Sequence, residues 1–241
     1  MKHGRSRKDA NNVTDPLILS LAFLGGFLPA LLWLIFWQLE DRCDPEPKKL
    51  IFFCFVGGMI AVPLVLPLQY WAQAHFSGTL MLLIWAAGEE ILKFAAAWFI
   101  ALRGKAVDEP IDAIVYMVTA ALGFAAIENT LFLIGPLTGG DTLTSLITGN
   151  VRFIGATLLH TLASATIGVA IATSFYKSPF VRRWYLLSGV ILAILLHTVF
   201  NVLILQQGGS MTFPVFLLVW IGVIAVLLFF ERLKRPSRDY C

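Results

Sequence analysis

Leu82-Leu83-Ile84-Trp85-Ala86-Ala87-Gly88-Glu89-Glu90-Ile91-Leu92-Lys93-Phe94-Ala95-Ala96-Ala97-Trp98-Phe99-Ile100 decides the fold class of this chain. It is the centre of an apolar block spanning roughly 79–102, close to the length a helix needs to cross a bilayer. Its apolar residues are continuous, not striped on one face, so it reads as a membrane span and not as a surface helix. Yet it holds three ionisable side chains. In hydrocarbon each costs about 2.5–3.5 kcal/mol on insertion scales, so each is by default a functional candidate.

Similar blocks lie on either side, at roughly 17–39, 50–72, 111–134, 152–175, 184–205 and 212–230. They predict an all-α fold, a polytopic transmembrane helical bundle of about seven spans, or up to eight if a loop segment re-enters. One domain covers 1–241, with a basic N-terminal arm at 1–16, a motif-bearing core at 79–205 and a cytoplasmic tail at 231–241. Of the 241 residues, 58% are hydrophobic and 14% charged, whereas soluble domains are nearer half and a quarter. The run from Leu17 to Leu39 is too long for a signal-peptide core, so it is read as a retained first span. No internal repeat is visible.

The boundaries carry turn and charge signals. Asp44-Pro45-Glu46-Pro47 separates the first two spans, and Asp108-Glu109-Pro110 precedes the fourth. Gly139-Gly140-Asp141 follows the fourth, and a break at 206–210 follows the sixth. Lys and Arg collect in alternate loops: Arg42, Lys48 and Lys49, then Arg103 and Lys105, then Lys177, Arg182 and Arg183. The tail adds Arg232, Lys234, Arg235 and Arg238. The positive-inside rule places these segments in the cytoplasm. The basic N-terminal arm disagrees, because seven spans put it on the other side. A net charge of +3 distributed in this way marks topology, not a nucleic-acid partner. Cys43, Cys54 and Cys241 have no metal-ligand spacing and receive no role.

The remaining polar residues fall on four spans. Glu89 and Glu90 both lie within one helical turn of Lys93, which can reach either. The fourth span carries Phe124 and Glu128 on one face, with Asn129 turned about 100° away, toward a neighbouring helix. The fifth has His160, Ser164 and Gly168 at four-residue steps, where Ser and Gly read first as close-packing residues. The sixth has His197 and Asn201 one turn apart. Counted at 1.5 Å per residue, Glu89, Glu128, His160 and His197 all fall about 9–15 Å below the same surface, the one away from the cytoplasm. Spans alternate in direction, so this agreement points to a shared pocket.

Such a pocket supports amide hydrolysis. A carboxylate can take a proton from water, while imidazole and the Asn amide donate to the developing oxyanion. Alternatively, His160, His197 and a carboxylate such as Glu128 could hold a divalent ion, zinc above all, which acidifies water. The residues leave both open. An ion- or proton-coupled transporter using the buried Glu, Lys and His groups is a second reading. A non-catalytic membrane scaffold or immunity protein is a third.

Taken in order, Glu89-Glu90-x-x-Lys93, Phe124-x-x-x-Glu128-Asn129, His160 with Ser164 and Gly168, and His197-x-x-x-Asn201 resemble the PrsW family of intramembrane proteases. That family is related to the CAAX-processing and bacteriocin-immunity membrane proteins. The resemblance implies a protease of the bacterial plasma membrane that makes the first cut in a single-span, anti-sigma-factor-like substrate. It also implies Glu89 as the base, with Glu90 beside it, and His197 and Asn201 as oxyanion donors. The related enzymes carry His where this chain has Glu128. The roles of Glu128 and His160 therefore stay open among donor, orienter and metal ligand. Lys93, Phe124, Asn129 and Ser164 take supporting places.

Overall fold

The computed structural model describes residues 15–41, 44–139, 155–206 and 212–233. The basic arm, Arg152, the outer part of the Gly/Thr-rich fourth loop and most of the tail lie outside these residues. So does the stretch 140–154. Seven helices make up the described chain: α1 (Pro16–Glu40), α2 (Lys48–His75), α3 (Gly78–Ala97), α4 (Asp112–Thr138), α5 (Thr157–Thr173), α6 (Pro179–Gln206) and α7 (Thr212–Leu233). A π-helical segment, Trp98–Leu102, prolongs α3. No strand occurs among the described residues.

Five of the seven, α1, α2, α4, α6 and α7, are long and apolar enough to cross a membrane. The other two are α3, which carries Glu89, Glu90 and Lys93, and the 17-residue α5, which carries His160. Phe23, Leu28, Phe53, Leu64, Phe99, Ile191 and Leu217 are among the exposed large apolar side chains. An apolar exterior around a core holding polar groups suits a lipid solvent and not water. Gly25-Gly26 and Pro29 do not break α1, which runs through them as one helix.

The central helix is α4, packed against α1, α2 and α5. All its side chains from Asp112 to Ala126 are buried. Its sequence Ala120-Ala121-Leu122-Gly123-Phe124-Ala125-Ala126 explains the position, because small residues let helix backbones approach where no water drives them together. A Cβ on Gly123 would lie 1.9 Å from the Phe55 carbonyl oxygen, and one on Gly58 of α2 would lie 1.9 Å from that of Ala120. The crossing of α2 and α4 thus has no room for a methyl group on either side. Gly168 does the same for α5, where a Cβ would sit 2.7 Å from the Ile114 Cα.

At the end of the bundle where α2 and α4 begin, the Tyr116 hydroxyl donates to Glu46, and Asp112 caps the turn before α4 by accepting from the backbone N–H groups of Asp108 (2.9 Å) and Glu109 (2.7 Å). Burial pushes the Glu46 carboxyl up to about 9 from an ordinary 4.5, with Asp112 and Asp41 adding to the rise and the Tyr116 hydrogen bond opposing it.

Two outcomes follow from this packing. Gly123→Val is expected to lower stability by about 1–3 kcal/mol or more, since the clash is with backbone and cannot be relieved by a rotamer change; denaturant unfolding in detergent measures it. For Glu46, the folded-state value lies above the unfolded one, so stability present below about pH 4.5 is lost as pH rises toward 9. Glu46→Gln keeps an acceptor for Tyr116 but cannot ionise. Its unfolding temperature should therefore decline less than that of the wild type between pH 5 and 9.

Candidate active site

Successive residues on a helix point about 100° apart, so Glu89 and Glu90 leave α3 toward different neighbours. Glu90 points into the bundle. Its Oε1 accepts from Lys93 Nζ at 2.5 Å and from His197 Nδ1 at 2.8 Å, and its Oε2 accepts from Ser164 Oγ at 3.1 Å. Glu90 and Lys93 are both 0% exposed, a burial that only paired and hydrogen-bonded charges tolerate. Three helices, α3, α5 and α6, meet on this one carboxylate.

Lys93 has two further contacts. Its ammonium lies 4.9 Å from the centroid of the Phe124 ring and 3.1 Å from His160 Nδ1. An ammonium only donates, so His160 Nδ1 is an acceptor and the imidazole proton sits on Nε2. That Nε2–H donates to Glu128 Oε2 at 2.8 Å. On His197 the Nδ1–H donates to Glu90, because a carboxylate only accepts, and Nε2 lies 3.6 Å from Glu89 Oε2.

Glu89 turns toward α2. Its Oε1 accepts from the side-chain amide of Gln69 at 2.8 Å. Its Oε2 is buried and has no hydrogen-bond partner among the described residues. The two adjacent glutamates are therefore unlike: Glu90 is saturated with donors, and Glu89 presents one open oxygen.

Beside these groups lies a cavity of about 500 Å³. Glu89, Glu128, His160, His197 and Asn201 line it together with Gln69, Trp85, Phe124, Leu159 and Phe200. Of the residues singled out in the sequence, the structure brings these five polar ones to a shared space, with Glu90, Lys93 and Ser164 behind them. Asn129 turns away, as its helical offset predicts, and donates to Thr157 Oγ1 at 2.9 Å to brace α4 against α5. Of the two small residues on α5, Gly168 is a close-packing position, whereas Ser164 binds Glu90.

Three of the lining residues also suit a divalent cation. One ligand atom from each of Glu89, His160 and His197 lies within 4.8 Å of the others, and all three residues are buried. Two ligands of a tetrahedral zinc ion at about 2.0–2.1 Å stand roughly 3.3 Å apart. The 3.6 Å between Glu89 Oε2 and His197 Nε2 is near that span. His160 fits less simply, because its Nε2 proton would have to leave Glu128 first. Two imidazoles and a carboxylate are nonetheless a donor set that zinc takes.

Sequence reasoning missed Gln69. At the end of an apolar run it resembles an interfacial residue, and only its polarity, one turn before Gln73, could have singled it out.

A family model described as PrsW family intramembrane metalloprotease matches residues 46–229. The chain is 28% identical to Protease PrsW of Geobacillus kaustophilus (strain HTA426) over 196 residues, covering 76% of this chain and 79% of that protein. It is 28% identical to Protease PrsW of Oceanobacillus iheyensis over 221 residues, covering 89% and 95%. For Protease PrsW of Bacillus subtilis (strain 168) the identity is 24% over 206 residues, covering 82% and 90%. No solved structure matches the chain. The motif-bearing helices and both site histidines lie inside the matched segment, and the chain belongs to the PrsW family of intramembrane metalloproteases, as a multi-pass membrane peptidase.

Proposed function

We propose that the Glu89–His197 gap is where this peptidase activates water against a peptide bond of a membrane-anchored substrate. The observation that carries this reading is Glu89 Oε2, without a hydrogen-bond partner among the described residues and 3.6 Å from His197 Nε2, on two residues that line one 500 Å³ cavity. A water entering between them would give a proton to Glu89 Oε2 as its oxygen adds to the scissile carbonyl carbon. The Asn201 side-chain amide is the donor offered to the developing oxyanion. His160 is held on both ring nitrogens, by Glu128 at Nε2 and by Lys93 at Nδ1. The proton held by Glu89 is then available to the leaving amine. Glu90, Lys93 and Ser164 hold the histidines in place and do not touch the substrate.

The divalent ion that the family's description implies would be held by His197, Glu89 and His160; with Glu89 Oε2 then a ligand, the ion and not that oxygen would activate the water. Bound there, zinc would supply a Lewis acid that lowers the pKa of water to about 7 and polarises the carbonyl.

The substrate class we infer is a single-span membrane protein of the anti-sigma-factor kind, cut in the outer half of a bacterial plasma membrane. The basic residues Lys48, Lys49, Arg103, Lys105, Lys177, Arg182 and Arg183 support a cytoplasmic C-terminus. No observation favours the transporter or scaffold alternatives.

Co-expression with a tagged single-span substrate tests the assignment. Glu89→Gln and His197→Ala are expected to lower cleavage by about 10²–10⁴-fold at normal expression; undiminished cleavage by both would remove the basis for it. Chelation should abolish cleavage, and added zinc should restore it together with about one bound ion per chain by elemental analysis. Activity unaffected by complete metal removal would leave the glutamate-only route.

A further inference from the structure

We propose that Gln69 is a positioning residue of this site: its side-chain amide, reaching across from α2, holds one oxygen of Glu89 so that the other faces His197. The inference rests on the peptidase reading above and extends it to a helix outside the sequence motifs.

Gln69 Nε2 donates to Glu89 Oε1 at 2.8 Å, and this is the one hydrogen bond Glu89 makes among the described residues. The cation that could otherwise hold Glu89 is engaged elsewhere, since Lys93 lies against Glu90 and His160. Without the amide, the Glu89 carboxylate would be free to turn about its terminal torsion, which has only a broad preference of its own. The open oxygen would then no longer be aimed at His197.

Gln69 is itself gripped at two points. Its backbone carbonyl accepts from Trp85 Nε1 at 3.0 Å, while its side chain reaches Glu89. Trp85 and Glu89 are one turn apart on α3, so the indole and the carboxylate together fix where residue 69 of α2 sits along α3. Trp85 also lines the cavity, so the clamp is part of its wall.

The residue type is informative. A carboxylate expected to take a proton or hold a cation needs one oxygen fixed without being neutralised. A Lys or Arg at this position would pair with Glu89 and compete for that role. The Gln amide donates a hydrogen bond and carries no charge, and such outer partners of a reactive carboxylate or metal ligand typically account for about 10–100-fold in activity or metal affinity.

The test uses the purified full chain in proteoliposomes with a single-span reporter substrate. Gln69→Met keeps the length and removes the donor, and Gln69→Glu keeps the shape and removes it too. Both are expected to lower kcat by about 10–100-fold with KM within about twofold, and Gln69→Met to weaken zinc binding to the metal-free protein by a similar factor. Wild-type kcat and zinc affinity in Gln69→Met, beside an inactive Glu89→Gln control, would overturn the role of Gln69 and leave the peptidase reading intact. Loss of activity through KM, matched by a lowered unfolding temperature, would make Gln69 a packing residue and also overturn it. Full activity in the Glu89→Gln control would overturn both.

Discussion

The carboxylate of Glu90 is the point on which the rest of the site depends. In an apolar interior a carboxylate is tolerated only when its lone pairs are filled, and here an ammonium, an imidazole N–H and a hydroxyl fill them. Two of those donors come from other helices, so satisfying the charge draws α5 and α6 onto α3. Removing one partner from such a buried pair typically costs about 3–5 kcal/mol, because the remaining charge is left without compensation. The same bonds choose the histidine tautomers. Glu90 takes the Nδ1 proton of His197 directly, and Lys93, held by Glu90, occupies the Nδ1 lone pair of His160. One buried ion pair thereby fixes His197 Nδ1 as a donor and His160 Nδ1 as an acceptor.

Packing of α4 makes that arrangement reachable. The α2–α4 crossing closes to backbone contact at Gly58 and Gly123, and the next residue, Phe124, places its ring beside both Lys93 and His160. One turn later Glu128 meets His160. On α3, Gly88 packs against Val65 and Leu68 of α2, next to the point where Gln69 reaches Glu89. A helix that approaches less closely would leave the polar groups of α2, α4 and α5 too far apart to satisfy one another. In hydrocarbon there is no bulk water to take their place.

The proposed peptidase chemistry rests on the contrast between adjacent residues. Glu90 is spent on structure and Glu89 is held by one neutral amide, with its second oxygen bare. Around them the cavity wall is largely apolar, from Trp85, Phe124, Leu159 and Phe200. A low local dielectric strengthens each electrostatic contact to a reacting group, so a few well-placed donors suffice.

Much of this was legible in the chain itself. Long apolar blocks, the costly Glu89, Glu90, Lys93, His160 and His197 within or beside them, and their common depth determined a polytopic helical bundle with one polar centre. The 100° offset also foretold that Asn129 would brace a neighbour while Glu128 faced the pocket. Those inferences rest on local periodicity and on the cost of a charge in lipid, both of which can be read residue by residue. The rotation of each helix about its axis cannot be read in that way, because it is set by close contacts such as Gly58 with Ala120. Only the tertiary structure therefore decided that Lys93 pairs with Glu90, that Ser164 binds a carboxylate instead of merely packing, which nitrogen of each histidine meets Glu90 or Lys93, and that Gln69, in an otherwise ordinary apolar span, is the residue that bonds Glu89.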